Sequence, residues 1–117
     1  MALFIMLNFI FPNCSGDCED GYGTYTYSDG DIYEGNWKDG DRHGNGTYQY
    51  FDGHSTLQAK YIGNWKDGSK DGKGTFTWLS GSVYKGDYID GNRTGKGTYT
   101  WANGDVYKGD YIDGNRT

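Results

Sequence analysis

From Gly21 onward, apolar and polar residues alternate in short runs, and the runs recur. One block reads Gly21-Tyr22-Gly23-Thr24-Tyr25-Thr26-Tyr27 and returns at Gly44-Asn45-Gly46-Thr47-Tyr48-Gln49-Tyr50, Gly72-Lys73-Gly74-Thr75-Phe76-Thr77-Trp78 and Gly95-Lys96-Gly97-Thr98-Tyr99-Thr100-Trp101. A second block, Tyr33-Glu34-Gly35-Asn36-Trp37, returns at Tyr61-Ile62-Gly63-Asn64-Trp65, Tyr84-Lys85-Gly86-Asp87-Tyr88 and Tyr107-Lys108-Gly109-Asp110-Tyr111. Side chains two apart share a face of a strand. Tyr33, Gly35 and Trp37 therefore point one way, while Glu34 and Asn36 point the other. Gly46, Tyr48 and Tyr50 likewise oppose Thr47 and Gln49. Threonine and aromatic residues favour strands, and no helical period occurs after residue 20.

Turn dipeptides separate the blocks: Asp29-Gly30, Asp39-Gly40, Asp52-Gly53, Asp67-Gly68, Ser80-Gly81, Asp90-Gly91, Asn103-Gly104 and Asp113-Gly114. Each supplies a glycine where a hairpin needs positive φ. The pattern predicts a meander of eight short strands over residues 21–117. An odd-length turn at Asp29-Gly30 keeps every ring on one face, with Tyr27 across from Tyr33, Tyr25 across from Gly35 and Gly23 across from Trp37. On the next strand, Trp37 is expected opposite Gly46 and Gly35 opposite Tyr48. Rings would then cover the bare backbone of the strand glycines, which rescues glycine in strands. The connection Phe51–Lys60 breaks the repeat and is expected to be the least protected part of the sheet.

Composition narrows the architecture. Aromatics make up 18% of the 117 residues and glycine contributes 21. Branched aliphatic residues after Gly21 are confined to Ile32, Leu57, Ile62, Leu79, Val83, Ile89, Val106 and Ile112. A thick two-layer aliphatic core is excluded, and aromatic richness argues against disorder. Glycine does not recur at every third position, so the chain is not collagen-like. A single layer built of rings and glycines is what remains.

Tyr-Lys-Gly-Asp-Tyr followed by Gly-Lys-Gly-Thr-Tyr-Thr-Trp resembles the MORN repeat (membrane occupation and recognition nexus). The resemblance spans residues 21–117, with a leading half-unit at 21–32 and a last unit cut off after Arg116-Thr117. It implies an all-β fold, an elongated single-layer antiparallel sheet of stacked hairpins. The motif positions it implies are Tyr33, Gly35, Trp37, Gly44, Gly46, Tyr61, Gly63, Gly72, Gly74, Gly86, Tyr88, Gly95, Gly97, Tyr107 and Gly109. Tyr88 and Tyr111 stand where the repeat usually has Trp. The resemblance also implies scaffolding and attachment to a partner or membrane, with phospholipid binding in some members. Such repeats also occur appended to lipid kinases and methyltransferases, so a regulatory piece of a larger enzyme, such as a phosphatidylinositol phosphate kinase, is an alternative.

The net charge is −5, and residues 21–117 are nearly neutral. No basic stripe of the kind that grips a phosphate backbone is evident, which excludes nucleic acid as a partner. Asp39-Gly40-Asp41-Arg42-His43-Gly44 and Asp90-Gly91-Asn92-Arg93-Thr94-Gly95 imitate calcium loops, but Tyr50 and Trp101 occupy the position of the required Glu. Gly-Lys-Gly at residues 72–74 and 95–97 lacks the Ser/Thr and helix of a phosphate loop. His43 and His54 have no neighbouring nucleophile pattern. No catalytic residue, metal or cofactor is expected.

The aromatic face is the expected binding surface, with Tyr48, Trp65, Tyr84 and Trp101 as its partner-contacting residues. A protein partner, such as a helical segment or a second copy, is the leading expectation; a phospholipid or glycan is the alternative. The charges are expected in turns or on the opposite face, which makes docking insensitive to salt.

Residues 1–20 form a separate segment. Met1–Phe11 is almost wholly apolar and ends at Pro12. It is too short to span a bilayer as a helix, and its length suits a secretory signal, although no Lys or Arg precedes it. Lipidation at Cys14 or a docking strand are the alternatives. The compartment stays open between export or membrane association and the cytoplasm, as does the state of Cys14 and Cys18.

Overall fold

Alternation at period two is realised as ten strands in a computed structural model that describes residues 13–117. The expectations for Met1–Phe11 lie outside the described residues. The strands are β1 (Cys14–Gly16), β2 (Tyr22–Thr26), β3 (Ile32–Lys38), β4 (Asp41–Phe51), β5 (Leu57–Lys66), β6 (Ser69–Trp78), β7 (Val83–Ile89), β8 (Asn92–Thr100), β9 (Val106–Ile112) and β10 (Asn115–Arg116). Each pairs antiparallel with its chain neighbours, giving one open sheet in chain order. The sheet measures 59 × 30 × 17 Å, and no helix occurs among the described residues.

Two turn types alternate along it. Asp39-Gly40 has positive φ at both residues, 51° and 78°, and joins the Lys38–Asp41 pair as a two-residue hairpin of the primed type. Asp67-Gly68, Asp90-Gly91 and Asp113-Gly114 repeat it. At the opposite edge, the Tyr27 N–H donates to the Asp31 carbonyl at 2.8 Å and the Gly30 N–H to the Tyr27 carbonyl at 2.9 Å. That is a three-residue loop, repeated between Trp78 and Ser82 and between Trp101 and Asp105. The odd turn expected at Asp29-Gly30 is therefore present.

The strand register differs from the expected one by two residues. Because the loop closes on Tyr27 and Asp31, Tyr25 faces Tyr33 and Gly23 faces Gly35. On the next strand, Gly35 faces Gly46 and Tyr33 faces Tyr48, rather than Gly35 facing Tyr48. Parity is preserved, so the rings still share one face. Glycine now lies opposite glycine from Gly23 through Gly35, Gly46, Gly63, Gly74, Gly86 and Gly97 to Gly109. A parallel row of rings runs through Tyr25, Tyr33, Tyr48, Tyr61, Phe76, Tyr84, Tyr99 and Tyr107.

The first glycine of the three later Gly-x-Gly units serves a different purpose. Register shifts fall between Gly35 and Trp37, between Gly63 and Trp65 and between Gly86 and Asp87. The second strand of each pair carries the extra residues and absorbs the shift at Gly44 (φ 80°), Gly72 (φ 98°) or Gly95 (φ 59°), a backbone region that L side chains rarely occupy.

Two expectations about segment boundaries are corrected. The sheet begins at Cys14 rather than Gly21, because β1 pairs with β2 and a Cys14–Cys18 disulfide closes the turn behind it. Half of the Phe51–Lys60 connection is strand, with Tyr50 opposite Ala59 and Phe51 opposite Leu57. Its irregular part is the turn at 52–56, where the Asp52 carboxylate accepts the N–H groups of His54 and Thr56.

The buried hydrophobic residues are Tyr33, Trp37, Tyr48, Tyr61, Trp65, Tyr84, Tyr88 and Tyr111. The core of this single layer contains rings and no aliphatic side chain.

Candidate docking face

The tyrosine that opens each second block lies flat along its own strand. The Tyr33 hydroxyl donates to the Asn36 carbonyl at 2.8 Å, Tyr61 to Asn64 at 2.9 Å, Tyr84 to Asp87 at 3.1 Å and Tyr107 to Asp110 at 3.0 Å. Each ring thereby crosses the glycine two residues on, and for Tyr33, Tyr61 and Tyr84 the hydroxyl satisfies a carbonyl beside the register shift. The rings of Tyr33, Tyr61 and Tyr84 also fill the space that a side chain on Gly46, Gly74 or Gly97 of the next strand would need. Ring coverage of glycine is present, but along the strand and on the diagonal rather than directly across.

The rings form two chains. In one, Trp37, Tyr33, Trp65, Tyr61, Tyr88, Tyr84, Tyr111 and Tyr107 meet edge to face, at interplanar angles between 82° and 88°. That geometry suits the ring quadrupole. Indole N–H groups fasten this chain to the preceding strand: Trp37 donates to the Gly23 carbonyl at 3.0 Å and Trp65 to the Gly46 carbonyl at 3.2 Å. Tyr111, where an indole would stand, buries its hydroxyl without a partner. The other chain runs Tyr25, Tyr27, Tyr48, Tyr50, Phe76, Trp78, Tyr99, Trp101, with centroids 4.5 to 5.8 Å apart. All of its members except Tyr48 are half-buried.

A row of cations lies over these chains. Arg42 sits above Trp65 at 4.7 Å and Tyr48 at 5.0 Å, and Lys70 above Phe76 at 4.9 Å and Tyr88 at 5.2 Å. Arg93 sits above Tyr111 at 5.1 Å and Arg116 above Trp101 at 5.0 Å. Each is paired across its hairpin with the last ring of the preceding strand: Trp37 with Arg42, Trp65 with Lys70, Tyr88 with Arg93 and Tyr111 with Arg116. Arg42 and Arg93 also donate to the turn carbonyls of Gly68 and Gly114, at 2.6 and 2.8 Å. The expectation that charges keep to turns or to the other face is thus corrected for four basic residues. A basic residue five places after each Trp37-type ring was the signal in the sequence.

Burial sets the protonation of this layer. It pushes the phenols of Tyr33 and Tyr84 up to about 12 and raises those of Tyr48, Tyr61 and Tyr88 further. Burial, and then the charges of Arg93 and Arg42, pull Lys70 below its ordinary value. The Tyr48 hydroxyl donates to buried Asp31, whose other oxygen accepts the Phe51 N–H.

Of the residues expected to contact a partner, Tyr48 is 8% exposed, Trp65 5% and Tyr84 0%. Tyr84 offers no surface to a partner, and the other two shape the floor. Trp101 is half-buried, as are Tyr27, Tyr50 and Trp78 at the equivalent end of each first block. A ring at a block's end has one covered neighbour fewer, which the alternation pattern does not reveal.

The opposite face is polar. Lys73 pairs with Asp87 and Lys96 with Asp110, and the Asn64 amide donates to the Asn45 side chain. Asp39-Gly40 and Asp90-Gly91, the starts of the imitation calcium loops, are hairpin turns. His43 lies 3.8 Å from Asp67. No group of three or more metal-ligating side chains occurs among the described residues.

The MORN repeat family matches the chain at four consecutive stretches, residues 19–32, 33–55, 61–83 and 84–106. The chain belongs to the MORN-repeat family. No curated protein matches it.

Proposed function

We propose that this protein is a noncatalytic scaffold whose ring face docks a protein segment. The observation that carries this reading is the half-buried chain of rings, presented on a single layer that no other described element covers. A continuous ring surface of this kind is a habitual interaction site. Tyr and Trp supply large contact area with little rotamer entropy to lose. The contact residues are Tyr50, Trp78 and Trp101, backed by the floor of Tyr48 and Trp65. Capture of a partner by the intact chain should fail for Trp78→Ala combined with Trp101→Ala while circular dichroism stays unchanged. Undiminished capture by that folded variant would refute the reading.

A further inference from the structure

Resting on that docking reading, we propose that the docked segment is acidic, with its carboxylates seated on the row Arg42, Lys70, Arg93 and Arg116. The sheet presents one cation per hairpin, on β4, β6, β8 and β10. None of the four makes an ion pair among the described residues, whereas His43, Lys73 and Lys96 each have a carboxylate within 4 Å. Asp31, which does reach the ring layer, is engaged by Tyr48 and the Phe51 N–H. In a chain of net charge −5, the ring face thus carries a row of four positive charges that no carboxylate of the described residues pairs with.

A second observation lies at one end of the row. Arg93, Trp101, Tyr111, Gly114 and Arg116 line a cavity. Tyr111 is only 2% exposed, and its hydroxyl is buried without a hydrogen-bond partner. A buried hydroxyl left unpaired is costly, and a carboxylate oxygen seated between the two guanidiniums would accept a hydrogen bond from it. Stacking on rings occupies the guanidinium faces and leaves edge N–H donors for such a group. The like charges of Arg42 and Arg93, which already depress Lys70, would be offset at the same time.

Spacing favours a polypeptide. Cations on every second strand lie roughly 10 Å apart, and a polyproline-II chain rises about 3.1 Å per residue with three residues per turn, so acids at every third position share one face and meet the row. A nucleic acid presents its phosphates more densely than this, and the overall negative charge opposes a polyanion.

The test uses the intact chain and two synthetic peptides of about four units, one repeating Glu-Leu-Ser and the other Gln-Leu-Ser. Calorimetric titration should show the Glu peptide binding about tenfold tighter or more, with the preference shrinking as salt rises. Arg116→Gln, on the exposed last strand, should remove most of that preference. Tyr111→Phe, which deletes an unpartnered hydroxyl, should weaken the Glu peptide severalfold without lowering the melting temperature. Equal binding of the two peptides would overturn acidic selection and leave the docking reading standing. Failure of the Glu peptide to bind would also overturn the proposal. Binding of phosphatidylserine vesicles or an oligothymidylate through Arg93 and Arg116 in its place would redirect the row to lipid or nucleic acid.

Discussion

The phenol ring of Tyr33 occupies the place that a side chain on Gly46 of the neighbouring strand would need. Gly46→Ala forces that ring off the strand and breaks its hydrogen bond to the Asn36 carbonyl. The expected cost is about 1–3 kcal/mol. Gly53, in the turn after Phe51, has nothing within contact distance of the same added atom, so Gly53→Ala should be neutral or slightly stabilising. Thermal melts of the two variants check this; equal midpoints would mean that the ring does not lie over Gly46.

Two tyrosine hydroxyls should respond oppositely to deletion. Tyr61→Phe removes the bond to the Asn64 carbonyl beside a register shift and is expected to cost about 1 kcal/mol. Tyr111→Phe removes a buried hydroxyl that has no partner and should hold or raise stability. Chemical denaturation of both variants would show the difference in midpoint.

Alkali should unfold the sheet. The folded pKa values of Tyr33 and Tyr84 are raised to about 12, above the value of about 10 for an exposed phenol. Between those values the folded state holds protons that the unfolded chain has released. Stability from these groups is complete below pH ~10 and is lost as pH rises towards ~12. Tyrosinate absorbance and circular dichroism, followed together, should change in one cooperative step. Ionisation at ordinary phenol values with the fold intact would contradict the burial of the ring layer.

Reducing the Cys14–Cys18 disulfide should release β1 and leave the rest of the sheet in place. The bridge closes a short loop, worth about 2 kcal/mol in chain entropy, and β1 holds to β2 partly through the Thr26 N–H bond to the Asn13 carbonyl. Amide exchange at Thr26 should accelerate on reduction while Gly63 and Gly74, in mid-sheet, stay protected. Loss of protection throughout would make β1 part of the cooperative core.

Most of the architecture was legible in the sequence because the period-two pattern and the Asp-Gly turns are local signals. The face carrying Tyr33, Gly35 and Trp37 follows from parity alone. Register did not, since a shift of two residues preserves parity. Only the closure of the loop on Tyr27 and Asp31 chooses between the alternatives. The cation row was readable at a fixed offset from Trp37, Trp65, Tyr88 and Tyr111, but the two-residue turn that folds Arg42 back onto the rings had to be known first. Full burial of Tyr84 against half-burial of Trp101 depends on neighbours two strands away, such as the contact of Tyr84 with Tyr111, and no local pattern encodes that.

The sequential strand order has a mechanical consequence. Ladder hydrogen bonds run perpendicular to the strands, and hence along the line joining β1 to β10. Tension applied through the two ends would load those bonds one rung at a time, peeling hairpins off in succession rather than shearing the whole sheet. The protein should therefore lengthen under small forces in steps of about one repeat, and each step should reverse when the pull relaxes. A tether made from this sheet would behave as a soft spring.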